Sequence, residues 1–288
     1  MAPDYLRPER LEDALAAAAA GPVRIAAGCT DLFPATERPA LEMAADTPVL
    51  DITAIPALRG LRSGPDGLRL GATTTWSTIV QAELPPSLRG LQQAAREVGS
   101  EQIQNAGTLA GNLCNASPAA DGVPPLLTLA AEVELASLRG VRRLPLRAFL
   151  TGPRQTARQA DELMTAIHIP AAALAGRSAF LKLGARTSLV ISIAMVAVRV
   201  VEEAGHVAEA AVSVGSCSAV AARLGALEAA LLGAPIADMP ARASDGVVTQ
   251  ALAPISDIRA DAPYRATAAA VLVRRALATL APAGRAAA

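Results

Sequence analysis

Between Asn105 and Pro125 the chain reads NAGTLAGNLCNASPAADGVPP, 21 residues that are small, apolar or short and polar, with Asp121 as the only charge. A segment of this kind is built for close approach: Gly107 and Gly111 carry no Cβ, and Thr108, Asn112, Asn115 and Ser117 offer hydrogen-bonding groups on short stems. Consecutive backbone N–H groups in glycine-rich turns form concavities that hold phosphate oxygens without lysine or arginine. The alternative reading is an ordinary buried loop with Asx and Ser turns. A second segment of the same character, Ala26-Ala27-Gly28-Cys29-Thr30-Asp31-Leu32, follows a short apolar strand and turns at Gly28. Two such turns can clamp a pyrophosphate from two sides, whereas either alone reads as a tight strand-to-loop turn.

Composition narrows the function classes. A chain of 288 residues is long enough for two compact units. No apolar run reaches the ~18 residues that a membrane span needs, and MAPDYLRPERLEDAL places acids and prolines where a secretion signal needs a basic start and an apolar stretch. The expectation is a cytoplasmic protein without a membrane span. Acidic and basic residues balance at 26 each and are scattered, with no basic stripe among aromatics, which argues against a nucleic-acid partner. The three cysteines, Cys29, Cys114 and Cys217, lie far apart and cannot supply the four ligands usual for an iron–sulfur cluster or a structural zinc. Neither His168 nor His206 sits in a pattern for zinc, a triad or a general base. GxGxxG after a strand and GxxxxGK[ST] are both missing. With so little nucleophilic or acid–base equipment, reactivity falls to a bound cofactor.

Periodicity gives a coarse outline. Pro8 opens an alanine-rich helix over Glu9–Ala20 that Gly21 and Pro22 end, and Val23–Ala27 reads as a buried strand. An apolar run over Pro48–Ile55 precedes a loop at Gly64–Gly67 and a hairpin return over Leu68–Gly71. Leu88, Leu91, Ala95 and Val98 mark an amphipathic helix with Ser87 as its N-cap. Glu132–Ser137 and Val141–Leu146 form a hairpin around Arg139-Gly140. A boundary falls at Pro170–Gly176, followed by strands over Leu189–Val201 and Val207–Cys217, a helix over Ser218–Leu232, and a final helix over Ala266–Leu280, apolar on most faces, that packs into the core or against a partner. The closing GRAAA reads as frayed. High aliphatic content, zero formal net charge and that last helix suit an obligate interface with partner subunits.

Of the 26 basic residues, 25 are arginine and one is Lys182, in AFLKLGARTSLVIS. A chain that uses arginine for generic charge has either retained one lysine by chance or uses it where a compact ammonium is not replaceable by a planar guanidinium.

AAGCTDL, LDITAIPALRGLR with LRLGATTTW after it, QIQNAGTLAGNLCNASPAADGVP and FLKLGARTSLVISIAMVAVRV together resemble the FAD-binding medium subunit of the molybdenum hydroxylases, a family that includes xanthine and carbon monoxide dehydrogenases. The match runs in order along nearly the whole chain, and GTLAGNLCNASPAAD is its most specific element. The resemblance implies an α+β fold: a two-subdomain FAD-binding domain of the vanillyl-alcohol oxidase type over 1–172, breaking near 55–60, and a smaller C-terminal domain of the CO dehydrogenase flavoprotein type over 177–282. It implies non-covalent FAD, with Ala26, Ala27, Gly28, Cys29, Thr30 and Asp31 and then Thr108, Gly111 and Asn112 at the pyrophosphate. Ser117 and Asp121 match positions near the ribityl and phosphate portions, Lys182 the lysine near the flavin ring, and Arg186 the basic position after it. Cys29 replaces the commoner second glycine, which bears on the backbone conformation there. The implied partners are a large molybdopterin subunit and a small two-cluster iron–sulfur subunit, with NAD, oxygen or another acceptor receiving the electrons. A structural module that kept the fold without flavin, and a stand-alone flavoprotein oxidase, are the competing readings.

Overall fold

The computed structural model describes residues 4–32, 47–187 and 189–281. The GRAAA tail lies outside them. Among the described residues, three larger sheets, a two-stranded ribbon of Leu150–Gly152 with Gln155–Thr156, and their helices build two large cores and smaller ones. Near the N-terminus, strands Tyr5–Leu6, Val49–Asp51 and Arg24–Ala26 form a parallel sheet with Val49–Asp51 in the middle. Helix Leu11–Ala20 covers it by burying Ala14, Leu15 and Ala18 against Leu50, Ile52 and Ile55. Its spacing of small apolar residues makes a narrow stripe that sits close to the sheet.

A five-stranded antiparallel sheet follows, ordered Leu61–Gly64, Gly67–Gly71, Leu163–Pro170, Glu132–Ser137 and Gly140–Pro145. The hairpin around Arg139-Gly140 is the one expected from sequence, whereas Gly67–Gly71 pairs with Leu61–Gly64 and the apolar run before them supplies Val49–Asp51 to the parallel sheet instead. Short helices Trp76–Gln81, Arg89–Glu97, Leu109–Asn115 and Val123–Thr128 share its core around Trp76, Leu91, Leu113 and Phe149, all almost wholly buried, while Glu101–Ala106 buries no residue. The 105–125 segment is less irregular than its composition suggests, since it holds the whole of helix Leu109–Asn115, the end of Glu101–Ala106 and the start of Val123–Thr128. Ser87 is not a cap either: the helix begins at Arg89, and the buried Ser87 hydroxyl donates to the Leu174 carbonyl at 2.8 Å instead.

The C-terminal unit is an antiparallel sheet ordered Arg177–Leu183, Ala194–Glu203, His206–Gly215 and Ala222–Arg223, backed by helices Gly225–Leu231 and Ala262–Leu280. Two expected boundaries move here. Residues 189–193 are a loop and not the start of a strand, and Ala222–Arg223 pairs with Ser213–Val214 before the helix starts. The last helix begins at Ala262, capped by the Asp261 carboxylate on the Tyr264 N–H at 2.7 Å, with Pro263 in its first turn. Its apolar face, including Ala269, Leu272, Val273 and Leu277, lies in the unit's own core. Of the two destinations open to it, it takes the core.

The two units meet along helix Arg89–Glu97 and strand Arg177–Leu183. Gly90 lets them touch, because a Cβ there would stand 3.2 Å from the Ala179 backbone. The Gly90 N–H donates to the Ser178 hydroxyl at 2.8 Å, and the Phe180 N–H donates to the Gln93 side chain at 2.8 Å. Arg199 and Arg223 reach across to the carbonyls of Thr128 and Leu127 at 3.1 and 2.9 Å, satisfying the open end of helix Val123–Thr128.

On the five-stranded sheet Glu134 receives Thr165, His168 and Arg69 at 2.7, 2.8 and 3.3 Å. Burial alone would push this carboxyl up; the Thr165 and His168 hydrogen bonds and the Arg69 charge bring it down to about 2. A depressed carboxylate contributes stability that is fully present above its unfolded value of about 4.3 and fades as pH falls toward the folded value. Glu134→Gln is expected to flatten the acid limb of a stability–pH curve between about pH 4.5 and 2. An acid limb as steep as that of the unmodified chain would show that the cluster contributes nothing.

Candidate flavin site

The two small-residue turns meet backbone to backbone. A Cβ on Gly28 would stand 2.1 Å from the Ala106 carbonyl oxygen and 2.7 Å from Gly107 Cα, so no residue but glycine fits without separating the turns. Thr30 comes to the same junction, its Oγ1 3.4 Å from where a Gly107 Cβ would be. Between Gly28 and Thr30, Cys29 holds φ at +57°. This is a left-handed conformation that glycine adopts freely, and a non-glycine residue there carries strain of roughly 1 kcal/mol.

The turn after Gly107 is built by its neighbours. The Gly107 carbonyl accepts from the Trp76 N–H at 3.2 Å, and the Leu109 N–H donates to Thr74 at 3.1 Å. Thr108 caps helix Leu109–Asn115 by accepting from the Gly111 N–H at 3.0 Å. For the Ala110 N–H no acceptor lies among the described residues, although Ala110 is buried. Gly111 is exposed, and a Cβ on it would meet only the Thr108 hydroxyl, at 2.8 Å. A glycine open to solvent in the first turn of a helix leaves a surface that a phosphate oxygen fits.

Asn112 carries the site onward: its Oδ1 accepts from the Gly122 N–H at 3.2 Å, which fixes the residue after Asp121. Asp121 Oδ1 lies 3.1 Å from Lys182 Nζ and accepts the Ser192 hydroxyl at 3.0 Å; Lys182 also donates to the Glu97 carbonyl at 3.2 Å. The Lys182 side chain is 5% exposed. Burial raises the Asp121 carboxyl above its ordinary value, against the pull of Lys182 and Ser192.

Contacts thus run without a break from Ala26–Asp31 through Thr108, Gly111 and Asn112 to Asp121 and Lys182. Two expected residues stand apart. Ser117 accepts from the Ala119 N–H at 3.2 Å and lines a small cleft with Leu150 and Val220. Arg186 is exposed and bonds the Leu189 carbonyl of its own loop. Sequence reasoning missed Trp76, whose ring presses on Gly122, and Ser192 with its half-exposed neighbours Leu189 and Ile191. A serine inside the apolar run LVISIAMV was the available signal.

The chain matches two family models, the FAD-binding domain of molybdopterin dehydrogenases over residues 1–172 and the CO dehydrogenase flavoprotein C-terminal domain over 179–280. It is similar to the nicotine 6-hydroxylase medium subunit of Paenarthrobacter nicotinovorans, 30% identical over 88% of this chain and 87% of that one. It also resembles the nicotinate dehydrogenase FAD-subunit of Eubacterium barkeri, 40% identical over half of each chain. In three dimensions it matches a CO dehydrogenase chain from Oligotropha carboxidovorans with a TM-score of 0.89, 27% identity and 98% coverage of both. Among the described residues no helix is long and apolar enough to cross a membrane. On sequence and fold, the chain belongs to the FAD-binding subunits of the molybdopterin-dependent dehydrogenases.

Proposed function

We propose that the chain is the electron-transfer subunit of a molybdenum-containing hydroxylase, taking electrons from a two-cluster iron–sulfur subunit that serves a large molybdopterin subunit, and delivering them to NAD, oxygen or another acceptor. The observation that carries this reading is the contact of Gly28 with Ala106 and Gly107, which turns two unremarkable turns into one cradle continuous with Asp121 and Lys182. In this reading Ala26–Asp31 with Thr108, Gly111 and Asn112 hold the pyrophosphate, and Lys182 adjoins the flavin ring. Asp121 keeps Lys182 in place; Ser117 and Arg186 act from the rim. The FAD unit is 1–172 and the C-terminal unit, 177–282, closes the site with Lys182.

Bound FAD supplies an isoalloxazine that exchanges electrons singly or in pairs. The chain orients that ring, sets its electrostatic surroundings and excludes water from its buried side. An anaerobically reduced iron–sulfur partner, mixed with the FAD-loaded chain, is expected to bleach the visible flavin band. Retention of the band with FAD bound would contradict the electron-transfer role.

FAD is held non-covalently here, and the chain's three cysteines leave no cluster for it to carry. Acid precipitation is therefore expected to release all the flavin, and the isolated chain to contain no stoichiometric iron. Flavin remaining in the pellet, or iron at one cluster per chain, would contradict this.

A further inference from the structure

The loop over residues 189–193 has an inverted burial pattern. Leu189 and Ile191 are 50% and 52% exposed, while the serine after them, Ser192, is only 2% exposed. Burying a hydroxyl while leaving two aliphatic side chains in solvent is unfavourable unless the hydroxyl has a partner worth the exchange. Its partner is the Asp121 carboxylate at 3.0 Å, a charged acceptor.

The loop is clamped where this contact is made. Next to Ser192, the Ile193 carbonyl accepts from Arg265 at 2.6 Å, and the Ile193 N–H donates to Leu183, the neighbour of Lys182, at 2.7 Å. Arg265 is 3% exposed, is matched by Asp257 at 2.7 Å, and also bonds the Ser216 carbonyl at 3.1 Å. The Ser216 N–H in turn donates to the Pro118 carbonyl at 3.0 Å, three residues before Asp121. A closed ring of bonds therefore runs from Arg265 through Ile193 and Ser192 to Asp121, and back through Pro118 and Ser216.

We propose that Ser192, pinned by Arg265, is a positioning residue that keeps Asp121 an ionised partner of Lys182 and so fixes the charge this pair presents to bound FAD. The proposal rests on the reading that Lys182 adjoins the flavin ring. A buried carboxylate that loses a donor takes up a proton more readily. The Lys182 charge is then less fully compensated, and a reduced, more negative flavin is favoured.

The test uses the FAD-loaded full chain with redox titration and flavin content as readouts. Ser192→Ala is expected to retain FAD and to raise the flavin potential in the same direction as Asp121→Asn, by a smaller amount. An unchanged potential in Ser192→Ala, with Asp121→Asn shifted, overturns the role of Ser192 and leaves the site intact. Loss of FAD in Ser192→Ala while Asp121→Asn retains it overturns the role too, because Ser192 would then be holding the pocket's shape. Unchanged potentials in both variants overturn the placement of the pair beside the flavin, and this inference with it.

Discussion

Gly28→Ala is expected to abolish FAD retention and to cost the fold about 2–3 kcal/mol, in the range found when a methyl group is forced into a packed interior. The added Cβ would stand 2.1 Å from the Ala106 carbonyl oxygen and 2.7 Å from Gly107 Cα. Both are backbone atoms, so no rotamer change relieves the clash and the turns must separate. That separation moves the Thr108 cap and the Ala110 N–H away from Ala26–Asp31. Gly111 offers a useful contrast: its added Cβ would meet only the Thr108 hydroxyl. Gly111→Val is expected to lower FAD occupancy by filling the space a phosphate needs, at less cost to the fold. Flavin per chain after gel filtration, with a denaturant midpoint, separates the two effects. Full flavin and an unaltered midpoint in Gly28→Ala would show that the turns do not depend on each other.

Asp121→Asn and Lys182→Ala are expected to move the flavin potential in opposite directions. A lysine read from sequence as a lone positive charge is, in the structure, one half of a buried ion pair with Nζ 3.1 Å from the carboxylate. Removing the carboxylate leaves the ammonium uncompensated, which stabilises the reduced flavin and raises the potential. Removing the ammonium leaves a carboxylate facing the ring and lowers it. The fall is the smaller of the two changes, because burial already raises the Asp121 carboxyl and lets it take up a proton when Lys182 is gone. A rise on the order of 30 mV for Asp121→Asn corresponds to ~1.4 kcal/mol for a two-electron couple. Shifts of the same sign in both variants would contradict the pairing.

How much of this was legible beforehand depends on where the deciding interaction lies. Hairpins and long helices are written in local periodicity, and Glu132–Ser137 and the body of Ala262–Leu280 were readable for that reason. Helix Val123–Thr128 was not: Pro124 and Pro125 look like loop residues, yet they occupy a first helical turn, where a missing N–H costs nothing. The strand expected from Leu189 starts five residues later because Arg265, 72 residues on, takes the Ile193 carbonyl. Local small-residue patterns singled out Gly28 and Gly111, and composition singled out Lys182. The contact between Gly28 and Ala106, and the saturation of Lys182 by Asp121 and Glu97, join segments distant in the chain, and no local pattern encodes them.

A diffraction structure of the FAD-loaded chain decides where the cofactor sits. Pyrophosphate density is expected between Ala26–Asp31 and Thr108–Asn112, with the isoalloxazine beside the Asp121–Lys182 pair. FAD bound with its pyrophosphate away from the Gly28–Gly107 junction, or its ring remote from Lys182, would contradict it.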